Sequence, residues 1–227
     1  MIVCQNCGSQ GDHIYCPNCG QALAAKRITL SHLLHEVAHT FWHLEKGFLF
    51  TLKELGRHPG TMQKKYLSGI RLHYQKPFPL FAISGTICAL ALFLIYRNAP
   101  NQSEQFFYKH YYFLVQAAML PFYALITYIL FRSPDLFYAE SLVMNVYMLG
   151  FMSVFIVPIN SLSFILPNGI ISLMEIVFLI TYNTWTNLNF FKGKSIWVII
   201  VVKSIISIVA SYFLFNTASN LVMRSFM

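Results

Sequence analysis

Phe78–Tyr96 reads FPLFAISGTICALALFLIY, a run without a single Asp, Glu, Lys, Arg or His. At about 1.5 Å of rise per residue, a helix of that length nearly crosses the roughly 30 Å of hydrocarbon in a bilayer. A soluble helix would carry a polar face along one side; this run has none. Four further runs repeat the pattern: Tyr111–Phe131, with Pro121 expected to bend it, Ala139–Val157, Leu162–Tyr182 and Ser195–Phe215. Short polar stretches such as RNAPNQSEQ and NTWTNLNFFKGK separate them. The chain is 56% hydrophobic and 11% charged, where soluble domains carry roughly a quarter charged residues. The fold class that follows is an all-α membrane protein, with a five-helix transmembrane bundle over residues 78–227.

Upstream, residues 26–77 read as a juxtamembrane segment of amphipathic helices. From Leu30 the chain is LSHLLHEVAHTFWHLEKGF. At about 100° per residue, Leu30, Leu33, Leu34, Val37, Ala38, Phe41, Leu44 and Phe48 share one side. His32, His35, Glu36, His39, His43 and Lys46 share the other, and Trp42 sits at the seam. Gly47 marks a bend. A second amphipathic stretch then places Phe48, Leu49, Leu52 and Leu55 on one face, and Gly56 and Pro59 stop it.

His35-Glu36-Val37-Ala38-His39 is a literal HExxH. On a helix it sets two imidazoles one turn apart, with the Glu placed to deprotonate a metal-bound water, so His35, Glu36 and His39 are catalytic candidates. A catalytic zinc also needs a third protein ligand. Trp42 and Glu45 stand where the longer metzincin pattern has its Gly and third His. The competing readings are a solvated, imidazole-rich polar face and a stripe that binds a metal without catalysis or responds to pH.

Residues 1–25 read MIVCQNCGSQGDHIYCPNCGQALAA. Cys4-x-x-Cys7-Gly8 and Cys16-x-x-Cys19-Gly20 are paired knuckles, and four thiolates so spaced suit a tetrahedral zinc ion with a structural role. His13 is a spare ligand. Disulfides or a redox pair compete with this reading, and a reducing cytosol disfavours them. With so little apolar sequence, the knuckle should need its metal to fold. The opening cysteines do not resemble a basic region followed by an apolar core, so no cleavable signal peptide is expected.

The net charge is +8, and nine of the sixteen Lys and Arg lie between Lys26 and Lys76. A nucleic-acid binder should carry phosphate-contacting charge on its zinc module, yet residues 1–25 hold no Lys or Arg. Nucleic acid is therefore not an expected partner. The basic collar instead suits anionic lipid and orientation signalling. With the N-terminus inside, twelve basic residues flank the spans on the cytosolic face and three (Arg97, Lys109 and Arg224) on the other. The expected topology is N-terminus cytosolic, C-terminus outside.

Ionisable residues at depth are costly, so each invites an explanation. Taking Asn183 and Ser195 as the cytosolic ends of the fourth and fifth spans, Glu175 and Lys203 each lie eight residues in. They are predicted to pair, either to fix helix register or as part of an ion or proton relay. Glu140, at the start of the third span, is placed to meet the collar or a histidine. It is the candidate third ligand for an HExxH zinc. Asn145 suggests polar packing, Pro167-Asn168-Gly169 an irregular turn, and Cys88 a small buried residue.

The Cys-x-x-Cys-Gly pair, then RITL, then His39-x-x-x-His43-Leu44-Glu45-Lys46-Gly47-Phe48, resemble a bacterial membrane-protein family of unknown function, domain-of-unknown-function family 3667. Tyr66-Leu67-Ser68-Gly69-Ile70-Arg71, Lys76-Pro77-Phe78 and Ala139-Glu140-Ser141-Leu142 are similar to it as well. In that family the recurring pair is His39 and His43 rather than the HExxH. An Asp is frequent at the position of Glu45, and a Lys at that of Ile70. The resemblance thus draws attention to His39, His43, Glu45, Lys46 and Arg71. It implies a bacterial inner-membrane protein with a zinc-ribbon head, and no established enzyme activity. Three functions remain open: a partner-recruiting or sensing scaffold, a channel or small-solute transporter, and a membrane zinc hydrolase built on HEVAH.

Overall fold

The computed structural model describes residues 2–23, 29, 47–98, 104–133 and 136–225. The histidine-rich stretch, with His32, His35, Glu36, His39, His43, Glu45 and Lys46, lies outside the described residues, and so does the HExxH motif.

The head is a pair of β-arms. Strands β1 (Ile2–Val3) and β2 (Gln10–Gly11) pair antiparallel, Ile2 opposite Gly11. A single antiparallel bridge, Tyr15 to Ala22, forms the second arm. Beyond it come two short helices, α1 (Phe48–Arg57) and α2 (Thr61–Leu67), and then the first long one, α3 (Pro77–Ile95). Pro77 opens α3 where a missing N–H costs nothing. The short α4 (Glu104–His110) precedes α5 (Tyr112–Leu130), α6 (Tyr138–Ser161), α7 (Asn168–Phe190) and α8 (Trp197–Ser225).

Among the described residues, five helices are long and apolar enough to cross a membrane. Their outward faces carry side chains such as Leu90, Leu94, Leu173, Val202, Val209 and Phe213, all exposed. In water that belt would be a liability; in lipid it is the ordinary outer surface of a bundle.

The first two spans fall within a residue of where the hydropathy places them, and the third and fifth start within two residues of it but run on to Ser161 and Ser225. The fourth is shifted along the chain. Leu162–Phe164, read as the start of the fourth span, instead closes α6 as a 3-10 turn. Pro167 lacks an N–H and holds an extended ψ of 148° as the residue before α7, so the helix restarts at Asn168. Pro167–Gly169 therefore begins a span rather than breaking one. At its other end α7 runs on through Asn183, Thr186 and Asn187, which hydropathy assigns to a loop. Most of these polar groups find partners inside the protein: Thr186 donates to the Tyr182 carbonyl at 2.8 Å, and Asn187 Nδ2 donates to Ser204 Oγ at 3.0 Å, while the buried Asn187 Oδ1 has no hydrogen-bond partner among the described residues.

α6 is the hub. Val143, Met144, Val146 and Tyr147 on it are wholly buried, and it packs against α3, α5 and α7. Gly150 lets α3 approach; a Cβ there would meet Leu80 Cδ2 at 2.5 Å and Phe81 Cα at 3.3 Å. That contact puts Phe81 level with Gly150, so α3 starts about 12 Å further along than α6 does. The space left beneath α3 is filled by α1 and α2. Leu55, Met62 and Tyr66 join the α6 core, and Tyr66 meets Tyr147 edge to face at 5.4 Å. Tyr147 Oη donates to the Gln75 carbonyl at 2.7 Å, and Thr51 Oγ1 accepts the Gln75 N–H at 2.7 Å.

In α1 the inward positions are Thr51 and Leu55, a turn apart. Leu49, expected on the apolar face, points away and is 78% exposed. Nearly 200° of helix separates it from Thr51.

Candidate functional site

Each knuckle folds by the same local rule. The N–H of Gly8 donates to the Cys4 carbonyl at 2.9 Å, and that of Gly20 to the Cys16 carbonyl at 2.9 Å. Both glycines sit at φ +75°, the left-handed region a side chain would resist. The Cys4 N–H donates to the Ser9 carbonyl at 2.8 Å, and the Cys16 N–H to the Gln21 carbonyl at 2.7 Å. The two turns bring Cys4 Sγ to 3.6 Å from Cys19 Sγ and Cys7 Sγ to 3.5 Å from Cys16 Sγ. All four sulfurs lie within 4.8 Å of one another. The predicted cysteines are thus brought together as a set that could hold a metal ion.

The electrostatics fit that chemistry. The Ser9 hydroxyl and N–H beside Cys7 hold its thiol down to about 6. Backbone amides of Cys7 and Asn6 lower Cys4 as well. The Cys19 N–H pulls on Cys16, but burial and the thiols around it drive Cys16 up to about 11. Each thiolate formed makes the next harder to form, and a bound cation removes that repulsion.

Among the described residues, Leu23 forms a small apolar cluster with Cys4 and Cys16. The head is attached to the collar by Gln21. Its buried side-chain Nε2 donates to the Gly69 carbonyl at 2.7 Å, and its Oε1 accepts the Arg71 N–H at 3.2 Å. Arg71 in turn donates from Nε to the Tyr66 carbonyl at 3.2 Å and lies 5.4 Å from the Tyr66 ring centroid. Arg71, singled out by resemblance, therefore sits where the head meets α2. Glu140 lies at the start of α6, where its Oε2 accepts the Phe137 N–H at 3.0 Å and caps the helix.

The second concentration of polar groups is inside the bundle. A cavity of about 130 Å³ lies between α5, α6, α7 and α8, with Tyr108 of α4 at one end. Polar residues recur on it at helical spacing: Tyr112, Gln116 and Tyr123 on α5, Asn145 and Ser153 on α6, Glu175 and Asn183 on α7, Ser207 and Ser211 on α8. Asn145 also donates to Thr127 Oγ1 at 3.2 Å and to the Ser141 carbonyl at 2.9 Å.

Glu175 and Lys203 do not pair. The Asn187–Ser204 hydrogen bond sets α7 against α8 so that Glu175 is level with Asn216, and Lys203 with Leu188. The two charges are about 20 Å apart along the bundle. Hydropathy ends the fourth span at Asn183, whereas α7 runs on to Phe190, and the seven further residues move Glu175 away from the depth of Lys203. In the structure Glu175 Oε2 accepts from Tyr108 Oη at 2.8 Å, and Oε1 accepts from Asn160 Nδ2 at 2.5 Å. Tyr96 Oη donates to Asn160 Oδ1 at 2.7 Å, which extends the network to α3. Lys203 Nζ lies 5.8 Å from the Phe131 ring centroid, near the end of the bundle that carries the head.

Sequence reasoning passed over Gln21, Tyr108, Asn160 and the serines of α8. For the cavity a signal exists: polar residues at i, i+4 within runs read only for their hydropathy. For Gln21 there is none, because its partners lie 48 and 50 residues away.

Residues 45–88 match the family model described as protein of unknown function (DUF3667). The match takes in α1, α2, the loop that receives Gln21 and α3 as far as Cys88, so the resemblance is borne out over that stretch. No curated protein and no solved structure matches the chain.

Proposed function

We propose that this chain is a bacterial inner-membrane protein whose cytosolic, zinc-clasped head serves as a platform that recruits or senses a protein partner. Zinc is the ion favoured by four thiolates. With Zn–S near 2.3 Å, a regular tetrahedron has S···S edges of about 3.8 Å, against 3.6 Å for Cys4–Cys19, 3.5 Å for Cys7–Cys16 and at most 4.8 Å for any pair. The asymmetry of basic residues supports the N-terminus-in orientation. The observation that carries the platform reading is the Gln21 clasp. It fixes the head on the collar while leaving Ile14 and Tyr15 on its outer arm 76% and 62% exposed. Adjacent exposed apolar side chains on a module without Lys or Arg suit a protein contact better than a nucleic-acid one.

The test is quantitative co-purification from native membranes with wild type, Cys4→Ser and Tyr15→Ser. A partner lost with both variants, while Tyr15→Ser keeps its metal, supports the platform. The same partners at the same yield after metal loss would overturn it.

A second reading, a channel or small-solute transporter, draws support from the polar-lined cavity between α5 and α8. Solute flux into vesicles holding the purified protein tests it directly.

A further inference from the structure

The cavity inside the bundle has a chemical character of its own. Glu175 is the one carboxylate among the described residues that line it, and none of those residues is Lys, Arg or His. A carboxylate in a water-poor interior interacts strongly with whatever charge approaches. Anionic ligands are disfavoured there, and cations favoured. The donors from Tyr108 and Asn160 are neutral side chains, and they orient the carboxylate at the cavity wall.

The walls point the same way. Tyr108 and Tyr112 stack with ring centroids 5.0 Å apart and planes at 12°, beside the carboxylate. Phe215 packs against Tyr112 at 5.8 Å and 75°. Aromatic faces with an anionic partner are the surroundings in which alkylammonium ions are held. A bare metal ion fits poorly, since it needs a tight shell of oxygens at about 2.0–2.6 Å, whereas the space is about 130 Å³ and one side of it is Met148, Met152, Ile176 and Leu179.

We propose that the cavity between α5, α6, α7 and α8 binds a small organic ammonium ion, with Glu175 as counter-ion and the Tyr108–Tyr112 pair as its aromatic wall. This inference names the ligand class for the cavity behind the transport reading. Binding without flux would remove the transport reading and leave this one standing.

Choline is the probe, and 3,3-dimethylbutan-1-ol, which replaces its nitrogen by carbon, is the neutral match. Full-length protein in detergent is titrated with radiolabelled choline by equilibrium dialysis, with the neutral analogue and tetramethylammonium as competitors. The expected result is saturable binding, competition by tetramethylammonium, and an analogue weaker by about tenfold or more. Glu175→Gln should weaken choline by a similar factor. Ser207→Phe, which fills the cavity from α8, should abolish binding while the head keeps its metal. An analogue as potent as choline, unchanged binding in Glu175→Gln, or no saturable binding in wild type would each overturn the proposal. The comparison of choline with its analogue uses wild type alone, so a variant that fails to fold does not spare it.

Discussion

Gln21 hydrogen-bonds the collar on both sides of Ile70: its side-chain amide donates to the Gly69 carbonyl at 2.7 Å and accepts the Arg71 N–H at 3.2 Å. The same residue's carbonyl accepts the Cys16 N–H and closes the second knuckle. One residue thus shapes the metal clasp through its backbone and docks it through its side chain. Gln21→Ala should separate the two roles. The clasp keeps its carbonyl and therefore its metal. The collar loses two partners, each worth about 0.5–1.5 kcal/mol net. Hydrogen exchange should accelerate at Gly69–Arg71 and across the head, with metal content unchanged. Unaltered exchange at Arg71 would show that other contacts hold the head in place.

Metal removal is the complementary experiment. The head's apolar cluster is little more than Leu23 against Cys4 and Cys16, too small to hold a fold alone. Chelation or Cys16→Ser should unfold residues 2–23 locally and leave the melting of the bundle in place, since it is the Gln21 side chain that ties the head to the collar. Elemental analysis should find one metal per chain in wild type and none in Cys16→Ser. A second equivalent, lost on His39→Ala, would instead revive the hydrolase reading of the HEVAH segment.

How the collar meets the bundle gives a sharper steric prediction. Gly60, between α1 and α2, has φ +76°, and a Cβ on it would lie 2.2 Å from the Thr186 carbonyl oxygen and 2.7 Å from the Phe190 N. Both are backbone atoms of α7, which cannot swing aside as a side chain would. Gly60→Ala should cost about 1–3 kcal/mol and lower the melting temperature in detergent. Gly193→Ala is the control: it has a comparable φ of +85° with nothing within 4 Å, so it isolates the conformational part of the loss. Equal effects of the two changes would mean that the collar does not press on α7.

Much of this architecture is legible in the sequence, and the parts that are not share a cause. Phe78–Tyr96 announces its span because length and hydropathy suffice in lipid. The paired Cys-x-x-Cys-Gly motifs announce their cluster because all the geometry is local to each turn. The end of α7 is hard to read because Thr186 and Asn187 look like loop residues until the Tyr182 carbonyl and Ser204 are known to receive their hydrogen bonds. The same holds for α1. Its amphipathic pattern says that one face is apolar, and only the offset between α3 and α6 shows that α1, with α2, fills the space beneath α3. Hydropathy reports which residues leave water, not which neighbours they meet.

The ion pair that does not form makes the last prediction. Were Glu175 and Lys203 partners, neutralising either would strand the other in a low dielectric, and the two changes would be strongly non-additive. The register set by Asn187 and Ser204 keeps them about 20 Å apart, and Lys203 lies over Phe131 near the head end of the bundle, where a long side chain can reach toward the interface. A double-mutant cycle on unfolding in detergent, with Glu175→Gln and Lys203→Met, should therefore give a coupling energy within about 0.5 kcal/mol of zero. The cycle pairing Glu175→Gln with Tyr108→Phe should not, because the Tyr108 hydroxyl donates to this carboxylate at 2.8 Å. A hydrogen bond to a charged group supports a coupling of about 1.5–3 kcal/mol. Should the Lys203 cycle show the larger coupling, α8 would have to slide along α7 by more than three turns, and the cavity assigned to this bundle would not exist in that form.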